Sequence, residues 1–189
     1  AKHRSDFVKQ QIAKAKHEDS GLMTLNWAHL FLALLTFHKY TNLLLTPNFD
    51  PIMTEALSFV GMPSQSFDLN AARSYQSGIL DPGSVVYLHG QMHSLYIAND
   101  ESELESASQH YGGILGDVVR DSSLLVVGYS GECDPIVQAL LSVPTFTHNI
   151  YWVQYDKGEP KGDGLQQLIK NNRNSFHFCS GIDADTFMK

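Results

Sequence analysis

The chain has 189 residues, 43% hydrophobic and 17% charged; this is enough apolar material for one globular domain over 1–189 and excludes disorder across most of its length. The 13 Lys and Arg against 20 Asp and Glu give a formal charge of −7 and a pI near 5.6, which excludes a broad surface for nucleic acid or anionic lipid. Two cysteines, Cys133 and Cys179, cannot build a disulfide framework or a C-x-x-C zinc site, and the most apolar stretch, residues 27–37, is too short to span a bilayer; a reducing, cytoplasmic setting with no membrane or direct nucleic-acid partner is expected.

In chain order, residues 6–16 (DFVKQQIAKAK) read as a solvated helix with a weak apolar stripe, and Ser20-Gly21 breaks it. Residues 24–37 (TLNWAHLFLALLTF) are apolar nearly all round and predict a buried helix. Residues 42–46 (NLLLT) predict a short strand buried on both faces. Asp50-Pro51 opens a helix to about Val60, with Asp50 as N-cap and Pro51 at the first helical position. Residues 62–82 read as loop with room for one short strand, and residues 84–88 (SVVYL) as a strand ending at His89-Gly90. Ser102 and Glu105 form a capping box for a helix to about Arg120, weakened in the middle by Gly112-Gly113.

Residues 123–127 (SLLVV) predict a third strand, followed by Gly128-Tyr129-Ser130-Gly131 and a helix that Asp134-Pro135 starts and that ends near Leu141. Residues 149–154 (NIYWVQ) predict a fourth strand, 158–164 a polar turn, 165–171 a short helix, and 175–179 (SFHFC) a last strand. The aromatics over 146–152 read first as sheet core, with an interface as the alternative. Strand and helix alternate, so the expected fold is α/β, a doubly wound and mainly parallel sheet with helices on both faces.

Ligands of such sheets bind beyond the carboxyl ends of the strands. Three tips lie there. At the first, Asn48 offers a donor and an acceptor on one short side chain, while Asp50 can meet a ligand or merely cap its helix. At the second, His89 precedes a Gly that lets backbone pass close to a ligand. At the third, GYSGECDP places Gly128 and Ser130 between a strand and a helix start, where backbone N–H groups attract phosphate. No P-loop and no G-x-G-x-x-G occurs, and Cys133 has no basic neighbour to make it a nucleophile.

Taken together the tips resemble the SIR2-like (sirtuin-related) domains, in particular the divergent bacterial branch of anti-phage defence proteins. TPNFDPIMTEAL over 46–57 resembles the family's T-T/Q-N-F/I-D element, VVYLHG over 85–90 its L-H-G, LLVVGYSGECDP over 124–135 its G-x-S element, and GIDADTF over 181–187 its terminal element. The four occur in the family's order. The resemblance implies a Rossmann-like fold and NAD as ligand and substrate. By it, Asn48 would hold the water or the nicotinamide-side ribose, Asp50 would contact the nicotinamide region, and His89 would act on a ribose hydroxyl. Thr46 opens the first element, and Gly128 and Ser130 would face ribose and phosphates.

Two departures set the subclass. Deacetylating sirtuins carry a four-cysteine zinc module after L-H-G, whereas residues 91–122 contain no cysteine, so no zinc is expected and water replaces acyl-lysine as acceptor. The family's first strand and its G-A-G-x-S loop have no counterpart, so the chain is expected to be a fragment of a longer protein or a degenerate member that does not hold NAD in the usual way. The expected function, belonging to a longer chain or an assembly, is NAD hydrolysis to ADP-ribose and nicotinamide. The alternative is a non-catalytic NAD- or ADP-ribose-binding or interaction module, with a protein deacetylase behind both. The resemblance also implies activation through a homo-oligomer, a sensor protein or a fused domain.

Overall fold

Parallel pairing of short apolar strands organises both halves of the chain. The computed structural model describes residues 25–69, 80–91, 101–131, 135–160 and 162–189, with the backbone alone over 101–110. The helix expected over 6–16, the Ser20-Gly21 break, Cys133 and Asp134 lie outside the described residues. The described residues fall into two compact units, one running to Glu101 and the other from Ser102 to Lys189.

The first unit contains α1 (Trp27–Phe37), β1 (Leu43–Thr46), α2 (Ile52–Phe59), β2 (Ser66–Asp68) and β3 (Ser84–Tyr87). Its sheet is parallel in the order β1-β3-β2, with Leu43 opposite Ser84 and Thr46 opposite Tyr87, and Ser66 opposite Val85 and Asp68 opposite Tyr87. The central strand β3 is buried throughout. Among the described residues β1 lies at the edge of this sheet, and only Leu44 in it is buried, so the expectation of burial on both faces belongs to β3 instead. The core joins Leu44, Val85 and Tyr87 of the sheet to Ala33 of α1 and to Met53, Ala56 and Leu57 of α2.

Helix α1 starts later than its apolar run. Asn26 caps it by accepting the His29 N–H at 3.0 Å, and His29 Nδ1 reaches back to the Asn26 N–H. Nor is the helix buried all round. Its buried positions are Ala28, Ala33 and Thr36, while Trp27 and Phe37 are about half exposed at 55% and 49%. The small residues let α1 approach α2 closely. Leu32 packs partly buried against the core, while Trp27, Leu30, Phe31 and Leu34 line an apolar groove of ≈ 210 Å³ with Phe59 of α2 and Val60 just after it, which holds none of the expected site residues.

The second unit contains α3 (Glu101–Asp121), β4 (Leu124–Val127), α4 (Pro135–Leu141), β5 (Ile150–Gln154), α5 (Asp163–Asn171), β6 (Phe176–Ser180) and α6 (Ala184–Met188). Its sheet is parallel in the order β4-β5-β6. The alternating strand–helix order and parallel pairing are as expected, but among the described residues the strands form two three-stranded sheets rather than one. α3 already opens at Glu101, which places Ser102 inside its first turn, and it passes through Gly112-Gly113 without interruption. Buried Tyr111, Ile114, Leu115 and Val119 give it the helical apolar stripe that holds it through the glycines.

Trp152 of β5 is the centre of this unit and wholly buried. Its ring packs on Phe176 at 6.1 Å and on Tyr129 at 5.7 Å, and its indole N–H donates to the Tyr129 carbonyl at 3.1 Å. With Phe146 also buried, the sheet-core reading of these aromatics holds. Tyr151 alone faces outward, 41% exposed and stacked on His177 at 4.9 Å. The terminal GIDADTF runs into α6, capped by Asp183, whose carboxylate accepts the Thr186 N–H at 2.9 Å and its hydroxyl at 2.7 Å. Those bonds hold the Asp183 carboxyl below the usual carboxylate range, the Thr186 side chain contributing most.

Two glycines give opposite expectations. Gly131 has φ +72 and a Cβ there would lie 2.9 Å from the Trp152 ring, so Gly131→Ala should destabilise the fold by about 1–2 kcal/mol or more. Gly113 is an exposed helical position with nothing within 4 Å of its Cβ site, so Gly113→Ala should stabilise by up to about 1 kcal/mol. Urea unfolding of both variants checks the pair; equal midpoints would contradict it.

Candidate functional site

Because β1 and β3 are adjacent and parallel, their carboxyl ends finish side by side in the first unit. The Leu88 N–H continues the ladder by donating to the Thr46 carbonyl at 2.8 Å. Thr46 holds the first tip as well, since its Oγ1 accepts the Asn48 N–H at 3.1 Å, a local turn that fixes Pro47 and Asn48 beyond the strand. Asn48 itself is exposed, while Thr46, Phe49, Asp50 and His89 are half-buried. Asp50 Oδ1 accepts the Ile52 N–H at 3.1 Å. Asp50 thus satisfies the first N–H of α2 from one residue further out than expected, with Pro51 at the cap position. The Phe49 and His89 rings lie 6.3 Å apart, tilted by 34°, within the range for an aromatic pair.

Gly90 has φ +93, a conformation that favours glycine. The backbone therefore turns sharply after His89 and comes back to β2, where the Gln91 N–H donates to Asp68 Oδ2 at 3.1 Å. Beneath the tips lies Tyr87, buried, below the start of α2, where the Thr54 hydroxyl donates to the Pro51 carbonyl at 2.7 Å. Burial pushes the Tyr87 phenol above its ordinary value, the neighbouring Thr54 side chain works against this, and the Asp50 and Glu55 carboxylates add to the rise.

The third tip belongs to the second unit. Gly128 and Gly131 have φ +70 and +72, the Gly128 N–H donates to the Val153 carbonyl at 3.2 Å, and Gly128 and Ser130 are exposed. Residues 132–134, on which a phosphate cradle at the start of α4 depends, lie outside the described residues. The structure thus brings Thr46, Asn48, Asp50 and His89 to one end of the first sheet, and Gly128 with Ser130 to the end of β4 in the second.

Two residues at the first site are not among the sequence candidates. Asp68 sits on a three-residue strand, too short for a periodic signal. Tyr87 reads from sequence only as an apolar strand position, and its phenol acquires polar neighbours only when α2 packs over the sheet. No protein-family model and no curated protein matches the chain.

The Tyr87 shift has a testable sign. A phenol whose folded pKa lies above its unfolded value of 10.0 contributes fully below pH 10, and that contribution is lost as pH rises through the folded value. Tyr87→Phe removes the titrating phenol and with it the alkaline decline. The difference in unfolding free energy between the two proteins should be constant from pH 7 to 9 and shift against the unmodified protein above pH 10. A difference unchanged across the whole range would contradict the assignment.

Proposed function

We propose that this chain is an NAD-hydrolysing domain of the SIR2-like kind found in bacterial anti-phage defence, converting NAD and water to ADP-ribose and nicotinamide. The observation that carries the reading is the shared sheet end of the first unit, where exposed Asn48 and half-buried His89, the latter packed beside Phe49, extend from adjacent parallel strands.

The side chains fit the reaction. The ribose C1′–N bond breaks with both electrons passing to the pyridinium nitrogen, so nicotinamide leaves neutral and an oxocarbenium-like ribose remains. A water oxygen then attacks C1′ and releases one proton. The Asn48 carboxamide can accept a hydrogen bond from that water and donate one to a ribose oxygen, which orients the acceptor for attack. The His89 imidazole takes a proton from a ribose hydroxyl or from the attacking water. Asp50, with Oδ1 engaged by Ile52, turns its other oxygen to the nicotinamide carboxamide. Thr46 acts through Asn48, whose N–H its hydroxyl holds. The ribose and phosphate contacts of Gly128 and Ser130 come from the resemblance and are tested on their own by Ser130→Ala. No cysteine lies between residues 91 and 122, which favours water over a zinc-supported acyl-lysine acceptor.

The test is nicotinamide release from NAD. Asn48→Ala and His89→Ala should each lower kcat by about 100-fold or more; unchanged release in both would remove their roles. Calorimetry showing NAD or ADP-ribose binding without turnover would replace hydrolysis by a non-catalytic binding module. Faster turnover of an acyl-lysine peptide than of NAD alone would replace it by deacetylation.

A further inference from the structure

The span from Leu88 to Gln91 is held at both ends. On one side the Leu88 N–H is bonded to the Thr46 carbonyl at 2.8 Å, and the Leu69 N–H to the Tyr87 carbonyl at 3.0 Å, so the end of β3 is clamped by both neighbouring strands. On the other side the Gln91 N–H reaches Asp68 Oδ2 at 3.1 Å. The left-handed turn at Gly90 is what brings the Gln91 N–H back over β2. His89 therefore lies on a short arch whose near foot is the ladder and whose far foot, among the described residues, is the Asp68 carboxylate.

Asp68 is well placed for this. It is opposite Tyr87 in the ladder as Thr46 is on the other side, and in-register partners in a parallel sheet share a face. Thr46, Tyr87 and Asp68 thus form one row across the carboxyl end of the sheet. Each of the outer two holds a loop, Thr46 the turn of Asn48 and Asp68 the arch of His89. A hydrogen bond to an ionised acceptor is stronger than a neutral one, which suits the fixing of a side chain to the tolerance that chemistry demands.

We propose that Asp68 is the positioning residue for His89: by accepting the Gln91 N–H it sets the arch that presents the imidazole beside Phe49. Its effect on turnover rests on the NAD-hydrolysing reading; its effect on the arch does not.

The experiment uses the full 189-residue chain and two independent readouts. In the unmodified protein, the Gln91 amide proton should titrate with the same midpoint as the Asp68 carboxyl carbon; a Gln91 signal that ignores that titration overturns the proposal. In Asp68→Ala, Gln91 amide exchange should accelerate at least tenfold, the His89 ring signal should move, and kcat for nicotinamide release should fall at least tenfold with KM changed less than twofold. Asp68→Asn keeps an acceptor oxygen and should recover most of both effects. Should Asp68→Ala not fold, the co-titration and the Asp68→Asn kinetics still decide. If the unmodified chain releases no nicotinamide, the NAD reading fails while the co-titration alone settles Asp68. An unmoved His89 signal in a folded Asp68→Ala protein contradicts the assignment whatever the activity.

Discussion

The in-register parallel pairing of β1 with β3, ended by the Leu88 N–H on the Thr46 carbonyl, is the constraint on which the first unit's chemistry depends. Parallel neighbours finish at the same level and on the same side. Two segments remote in sequence, 46–50 and 88–91, leave the sheet together for that reason. A one-residue slip of β1 against β3 would put Thr46 and Tyr87 on opposite faces, breaking the row they share at the sheet end. Packing secures that register: Leu44, Val85 and Tyr87 are buried under α1 and α2, so a slipped strand would expose its core side chains.

The second unit has a different organising contact. Its strand tip is wrapped around Trp152, which binds the Tyr129 carbonyl through its indole N–H and crowds Gly131 so closely that only a hydrogen fits. The Gly-Tyr-Ser-Gly loop therefore takes its shape from the core beneath it. What the loop presents outward, exposed Gly128 and Ser130, is a consequence of that packing. The same bulky indole that stabilises the sheet, a side chain whose truncation costs about 3–5 kcal/mol in a core, predetermines the conformation of the loop.

The elements that were legible in the sequence are those whose signal is local. The runs LLLT, SVVY, LLVV and IYWVQ are strands as expected, because each is a short apolar run bounded by turn-forming or polar residues. Asp50 does satisfy the start of its helix, and the three tips are at strand ends. Non-local facts were not legible. Nothing in NLLLT places it at the edge of the described sheet, nothing in TLNWAHLFLALLTF says that Ala28, Ala33 and Thr36 are its buried positions while Trp27, Leu34 and Phe37 are exposed, and the division of the described strands into two sheets follows from long-range pairing. Asp68 shows the limit most clearly. Its strand is three residues long and its partner is 23 positions away, so only the folded ladder reveals that it holds the turn after His89.

The central claim is that Asn48 and His89 serve one NAD site at the end of the first sheet. Titration of NAD into the isotopically labelled chain, followed at the Asn48 side-chain amide and the His89 imidazole, tests it most directly. Both signals should move along one saturation curve with a single dissociation constant. Signals that stay still at saturating NAD, or that follow two different curves, would contradict a shared site.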